Sequence, residues 1–134
     1  MADIDKDFDD FREQNDKPIE ITVAKPNDEL WLGSDGKPAK LHIVGEESKT
    51  YRRRYRDLER TAAKYFDEYR ITKDDRFSFL AAMAGTVGWS GWEIGGGAAE
   101  FNSENLVRLY RLVHIRGVAL TQIRKHGNFF EQTS

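Results

Sequence analysis

The apolar residues of this 134-residue chain change period once, at Ser48, and that change limits the available folds more than any bulk property does. Before it, Ile19-Glu20-Ile21-Thr22-Val23 alternates apolar and polar, the pattern of a strand with one buried face. Leu30-Trp31-Leu32 and Leu41-His42-Ile43-Val44 read as two further strands. Between them Gly33-Ser34-Asp35-Gly36-Lys37-Pro38 carries turn chemistry, which predicts a hairpin. After Ser48 the spacing becomes helical, with Tyr51, Tyr55, Leu58, Ala62, Tyr65, Phe66 and Tyr69 on one side. Ser48 is the expected N-cap of a helix over 49–69. A second helix starts at Asp74 or Asp75 and carries Phe77, Leu80, Ala81, Ala84 and Val87, and residues 88–99 read as a loop. Asn102 or Ser103 caps a third helix whose apolar face is Leu106, Leu109, Tyr110 and Val113. A break near Gly117 precedes a last helical segment bearing Val118, Gln122 and Ile123, with Gly127 just beyond its C-cap. The predicted fold is α+β: a mostly α-helical domain of three to four helices over 18–134, with a small N-terminal antiparallel β-hairpin or three-stranded sheet.

Residues 1–17 form an acidic arm in which Ile4, Phe8 and Phe11 recur with the spacing of one helical stripe. Its composition fits a solvated tail, and its stripe fits a segment that orders on a partner. The net charge of −2 hides an asymmetry: residues 1–30 carry ten acidic and four basic side chains, residues 101–134 two acidic and five basic. Arm and C-terminal part therefore attract each other, within one chain or between neighbours. Without cysteine there is no disulfide, thiolate nucleophile or cysteine-ligated zinc, which fits a reducing compartment. No signal peptide and no membrane-spanning run are read, so a cytoplasmic location is expected.

Catalytic patterns find no support. An EF-hand loop starting at Asp3 would put Phe8 and Gln14 at its glycine and glutamate positions; starting at Asp5 it would put Asp10 and Asp16 there. His42, His114 and His126 lie far apart, and Gly95-Gly96-Gly97 lacks the lysine and hydroxyl residue of a P-loop. No enzyme activity, cofactor or metal is expected. Two features point to binding instead. Tyr51-Arg52-Arg53-Arg54-Tyr55-Arg56 interleaves cations with aromatics, as nucleic-acid surfaces do. Yet Tyr51 and Tyr55 sit four apart and turn inward with Leu58. Four arginines in the first helical turns also oppose the helix dipole at roughly 0.3–1 kcal/mol each, which calls for anionic neighbours. Glu46, Glu47 and the acidic arm are nearer than DNA, so nucleic acid ranks below protein as a partner. Trp89-Ser90-Gly91-Trp92 places two large rings around a glycine, and core filling and interface anchoring are evenly balanced for them.

The order of segments resembles a known family. "HIVGEESKTYRRRYRDLER", "FLAAMAGTVGWSGW" and "FNSENLVRLYRLVHIRGVALTQIRKHGNFF" follow one another as in the tail assembly chaperones of long-tailed bacteriophages (the siphophage tail assembly protein family). The resemblance spans roughly 28–130 and rests on Val44, Gly45, Ser48, Tyr51, Arg52, Gly88, Trp89, Phe101, Ser103, Glu104, Asn105, Leu106, Phe129 and Phe130. The Gly/Ala-rich stretch 93–99 departs from the family's acidic, Asp/Gly-containing loop. What the resemblance implies is a non-enzymatic chaperone that covers the phage tape-measure protein until the tail tube polymerises. It would act in the host cytoplasm and be absent from the mature virion. The major tail tube protein and a second copy of the chain are further partners it allows. Trp89, Trp92, Phe129 and Phe130 are the expected apolar contacts, and Arg52, Arg53, Arg54 and Arg56 an electrostatic rim. A structural virion protein (neck or tail-completion) and a nucleic-acid-binding regulator are the rival readings.

Overall fold

The computed structural model describes residues 3–6 and 16–126, and the fold is α+β. Strand β1 (Ile19–Thr22) pairs antiparallel with β2 (Lys40–Ile43), Ile21 opposite Leu41. The third strand, β3 (Thr86–Ser90), lies on the other side of β2 with Leu41 opposite Trp89, so the order is β1-β2-β3. β2 is the central strand: Leu41 and Ile43 are fully buried under the helices while Lys40 and His42 alternate away from them.

The expected hairpin of 30–32 with 41–44 is corrected. Leu30 and Leu32 make only isolated bridges, to Ala24 and Pro38, within an excursion that leaves β1 and returns at β2. Inside it the Trp31 amide donates to the Val23 carbonyl at 3.2 Å, and the Ala39 amide to the Trp31 carbonyl at 2.8 Å. The sheet position assigned to 30–32 belongs to 86–90; Val87, expected on the second helix, and residues 88–90, expected as loop, are strand. Gly88 favours this close pairing: a Cβ there would stand 3.1 Å from His42 Nδ1, a tight contact that the histidine would have to relieve.

Helix α1 (Lys49–Thr61) starts as expected, the Ser48 hydroxyl accepting from the Tyr51 amide at 2.9 Å. It does not run on to Tyr69. It breaks at Ala62, and α2 (Ala63–Glu68) follows. Thr61 Oγ1 donates back to the Asp57 carbonyl at 2.9 Å, a contact that bends helices, at the point of the break. α2 closes with Arg70 in the left-handed region (φ 57°), the Arg70 amide on the Asp67 carbonyl and the Ile71 amide on Phe66. These two bonds make a Schellman cap over the buried Phe66–Ile71 contact.

Helix α3 (Lys73–Ala84) is the hub, with Phe79, Ala81, Ala82, Met83 and Ala84 buried. It stops at Gly85, where a Cβ would come within 2.4 Å of Ile123 Cδ1, and the chain enters β3 one residue later. α4 (Ser103–Tyr110) is capped by Asn102, whose side chain accepts from the Asn105 amide at 2.8 Å. α5 (Val113–His126) is continuous through Gly117. The break expected there falls instead at 111–112, where Arg116 Nη1 donates to the Tyr110 carbonyl at 2.8 Å. Two histidines tie α5 to the flanks of β1, through His114 Nε2 on Ala24 O and His126 Nε2 on Lys17 O, each 2.6 Å. No helix among the described residues is long and apolar enough to cross a membrane.

Candidate protein-docking groove

The second half of the supposed loop is a small hairpin, β4 (Glu93–Ile94) with β5 (Gly97–Ala98). Gly95 and Gly96 both have positive φ (63° and 84°), as a two-residue type I′ turn requires, which is why the glycines cluster here without cradling a phosphate. Gly91 sets where this hairpin lies. Its φ of +83° suits glycine, and a Cβ would stand 2.9 Å from Ala39 Cα, so backbone packs on backbone. Glu93 adds a tether, accepting the Ser34 amide at 2.8 Å.

These close approaches gather aromatic side chains from distant parts of the sequence. Trp92 Nε1 donates to the Lys40 carbonyl at 3.0 Å, and its ring meets Trp31 with centroids 6.3 Å apart. Trp89 Nε1 donates to the Ala99 carbonyl at 3.0 Å, and its ring meets Phe101 edge-on at 5.3 Å. Lys25 Nζ lies 4.9 Å from the centre of the Trp31 ring. The three indoles wall a groove of about 440 Å³, closed on its other side by Asn105, Arg108 and Leu109 of α4 and by Leu112 beyond it. Ile94 of the hairpin also lines it. Its edges are apolar and solvated: Leu32 is 60% exposed and Leu112 47%, with Val113, 70% exposed, adjoining.

Trp89 and Trp92 are thus half-buried and packed against the core, their polar N–H edges satisfied by backbone and part of their surface lining the groove. The arginines separate. Arg52 pairs with Glu47 at 2.9 Å, the anionic neighbour the helix start calls for. Arg53 and Arg56 stand on the exposed face of α1, beside Lys49. Arg54 turns inward, its guanidinium donating to the Met83 and Ala84 carbonyls at 2.9 and 3.2 Å and lying over the Phe101 ring. Burial pulls its pKa below the ordinary arginine value, with Tyr110 and Asp57 acting in the opposite direction. It neutralises the C-terminal end of α3 and is no rim residue. None of the four lines the groove; Arg108 and Arg111 do. Phe129 and Phe130 lie outside the described residues.

Sequence reasoning missed Trp31, Leu109, Leu112, Arg108 and Arg111. The available signal was Leu30-Trp31-Leu32, three large apolar residues in a row next to strong turn chemistry, too apolar for an ordinary surface turn. Of the groove's charged groups, Glu93 is engaged by the Ser34 amide and the others are the guanidinium groups of Arg108 and Arg111. Among the described residues no three His, Asp or Glu side chains are placed to share a metal ion. The arrangement presents half-exposed indole rings and leucines around an open groove. Compared with protein-family models, curated proteins and solved structures, the chain matches none, so the groove's own geometry carries the functional reading.

Proposed function

We propose that this chain is a non-enzymatic chaperone that covers an apolar surface of another protein, and specifically the tail assembly chaperone of a long-tailed phage. Its client is then the tape-measure protein, a long helical rod, held soluble in the host cytoplasm until tail-tube subunits displace the chaperone. The observation that carries this reading is the indole-walled groove with its exposed leucine edges. Trp89 and Trp92, whose N–H groups are already bonded to backbone, leave apolar ring surface for a client at little ordering cost. An open groove of a few hundred Å³ gives modest affinity per site, which suits a cover that polymerisation strips away.

Co-expression with the tape-measure protein of the same genome tests it. The rod is expected in the soluble fraction bound to this chain, and the chain is expected to be absent from purified particles. A rod that stays insoluble and unbound overturns the reading, and a stoichiometric copy in the particle favours a structural virion protein.

One observation favours a second reading. Among the described residues Lys49, Arg53 and Arg56 enter no ion pair, and on the same helix the Tyr51 and Tyr55 rings lie tilted at 37° to each other, centroids 6.0 Å apart. A nucleic-acid-binding regulator would use that face, and its binding would weaken steeply with salt. Absence of binding at low salt removes it.

A further inference from the structure

The geometry points to one class of occupant for the groove: an acidic amphipathic α-helix, its apolar stripe seated on Trp92 and Leu109 and its carboxylates turned toward Arg108 and Arg111. This rests on the docking reading above and adds the shape and charge of what docks. Three observations carry it.

The first is the form of the α4 wall. Asn105, Arg108 and Leu109 follow the i, i+3, i+4 spacing of one face of α4, opposite the buried Leu106, Val107 and Tyr110, and Leu112 extends the apolar wall from the break just beyond the helix. This half-exposed face is a two-turn ridge against which a second helix packs.

The second is the state of the opposite wall. The Trp31 amide and carbonyl are both bonded within the excursion, and the Trp92 carbonyl accepts from Ala99. At Trp31 an extended peptide finds no free ladder group and at Trp92 no free carbonyl, so this part of the wall offers rings and leucines rather than a strand edge.

The third is charge. Arg108 and Arg111 stand on the α4 side, and among the described residues neither joins an ion pair. Arg111 stacks 4.9 Å over the Tyr69 ring. The one carboxylate lining the groove, Glu93, is engaged by the Ser34 amide. The vacancy for charge is therefore anionic and lies along one side, which sets both the preference and the direction of the incoming helix.

The test uses the full chain and three synthetic peptides. Two are side-chain-stapled helices of about 18 residues, five turns, with the same leucine stripe and flanking positions that are all glutamate or all lysine. The third has the composition of the glutamate peptide but alternating apolar residues, so that it forms a strand. Titration at low salt, followed by tryptophan fluorescence, is expected to give the glutamate helix about tenfold tighter binding than the lysine helix. Arg108→Glu should remove that preference. If Arg108→Glu perturbs the fold, as judged by melting temperature, Arg108→Gln serves and should reduce the preference severalfold. Leu109→Ala should weaken both helices.

Equal binding of the two helices, equal binding of the strand peptide, or no binding of any peptide overturns the inference. So does a concentration-dependent dimer, seen by sedimentation and lost in Trp92→Ala, because a second copy then fills the groove. The outcomes separate this inference from the chaperone proposal. A tape-measure protein retained through the groove while the peptides show no charge preference sinks only the inference. A charge-selective groove that leaves the tape-measure protein insoluble sinks only the proposal.

Discussion

The Thr86 hydroxyl donates to the Ala82 carbonyl at 2.7 Å, so toward Tyr110, 2.5 Å away, its oxygen accepts the phenol's proton. Burial drives the Tyr110 pKa above its ordinary value, which keeps the phenol a donor. The consequence is asymmetric. Tyr110→Phe removes one donor and leaves Thr86 bonded to Ala82, a loss of about 1 kcal/mol. Thr86→Val leaves the buried phenol with no partner among the described residues and is expected to lose about 2 kcal/mol or more; chemical denaturation that finds the two equal, or reversed, contradicts this assignment of protons. The arginine run divides in the same way. Arg54→Ala strips two carbonyls at the end of α3 and should destabilise by about 2 kcal/mol, whereas Arg53→Ala and Arg56→Ala should each stay within about 0.5 kcal/mol. Comparable melting temperatures for all three would mean that Arg54 does not cap α3 in solution.

At the scale of elements, the glycines carry opposite predictions although composition treats them alike. Gly117 sits in the middle of α5 with nothing within 4 Å of a built Cβ, so Gly117→Ala should raise stability by roughly 0.5–1 kcal/mol. Gly91 has a φ of +83° and backbone 2.9 Å away, so Gly91→Ala should lower stability by about 2 kcal/mol and open the gap between the Trp92 turn and the excursion. Thermal melts of the pair, with tryptophan emission as a second probe for the latter, check both. Helix starts were legible from local chemistry: Ser48 and Asn102 cap where their spacing to the apolar stripe requires, because a cap and its helix are neighbours in sequence. The break at Ala62 was not, since no glycine or proline marks it. Strand β3 was not legible either. Its Gly88 and Trp89 read as loop until His42, on another strand, shows why the glycine is there.

For the whole molecule, the groove joins the excursion after β1, the turn after β3, the small hairpin and α4. Leu32 and Leu112 lie at its edges, 60% and 47% exposed, so Leu32→Ser with Leu112→Ser should change folding stability by no more than about 1 kcal/mol in total. Under the proposed function the same double variant should keep markedly less client in solution. An unchanged soluble fraction would show that the client binds elsewhere. Two of the groove's aromatics, Trp89 and Trp92, were identified from sequence as interface candidates. Trp31 was not, because nothing near residue 31 announces a partner about sixty positions later. The predicted arginine rim belonged to α1, while the arginines beside the groove come from α4 and its end. Both stretches are basic, and only packing decides which of them borders the tryptophans.

What residues 18–126 encode locally is the α+β plan: alternation before Ser48, helical spacing after it, and caps at Ser48 and Asn102. These depend on contacts within a few positions of the chain, where composition and spacing act directly. Which strand completes the sheet, which arginine turns inward, and which three tryptophans share a wall were decided by tertiary packing. Each depends on residues far apart in sequence: Gly88 beside His42 for the strand, Gly91 against Ala39 for the tryptophans, and the Met83 and Ala84 carbonyls for Arg54. Such fits are set by the shape of both partners together, and neither segment alone carries that information.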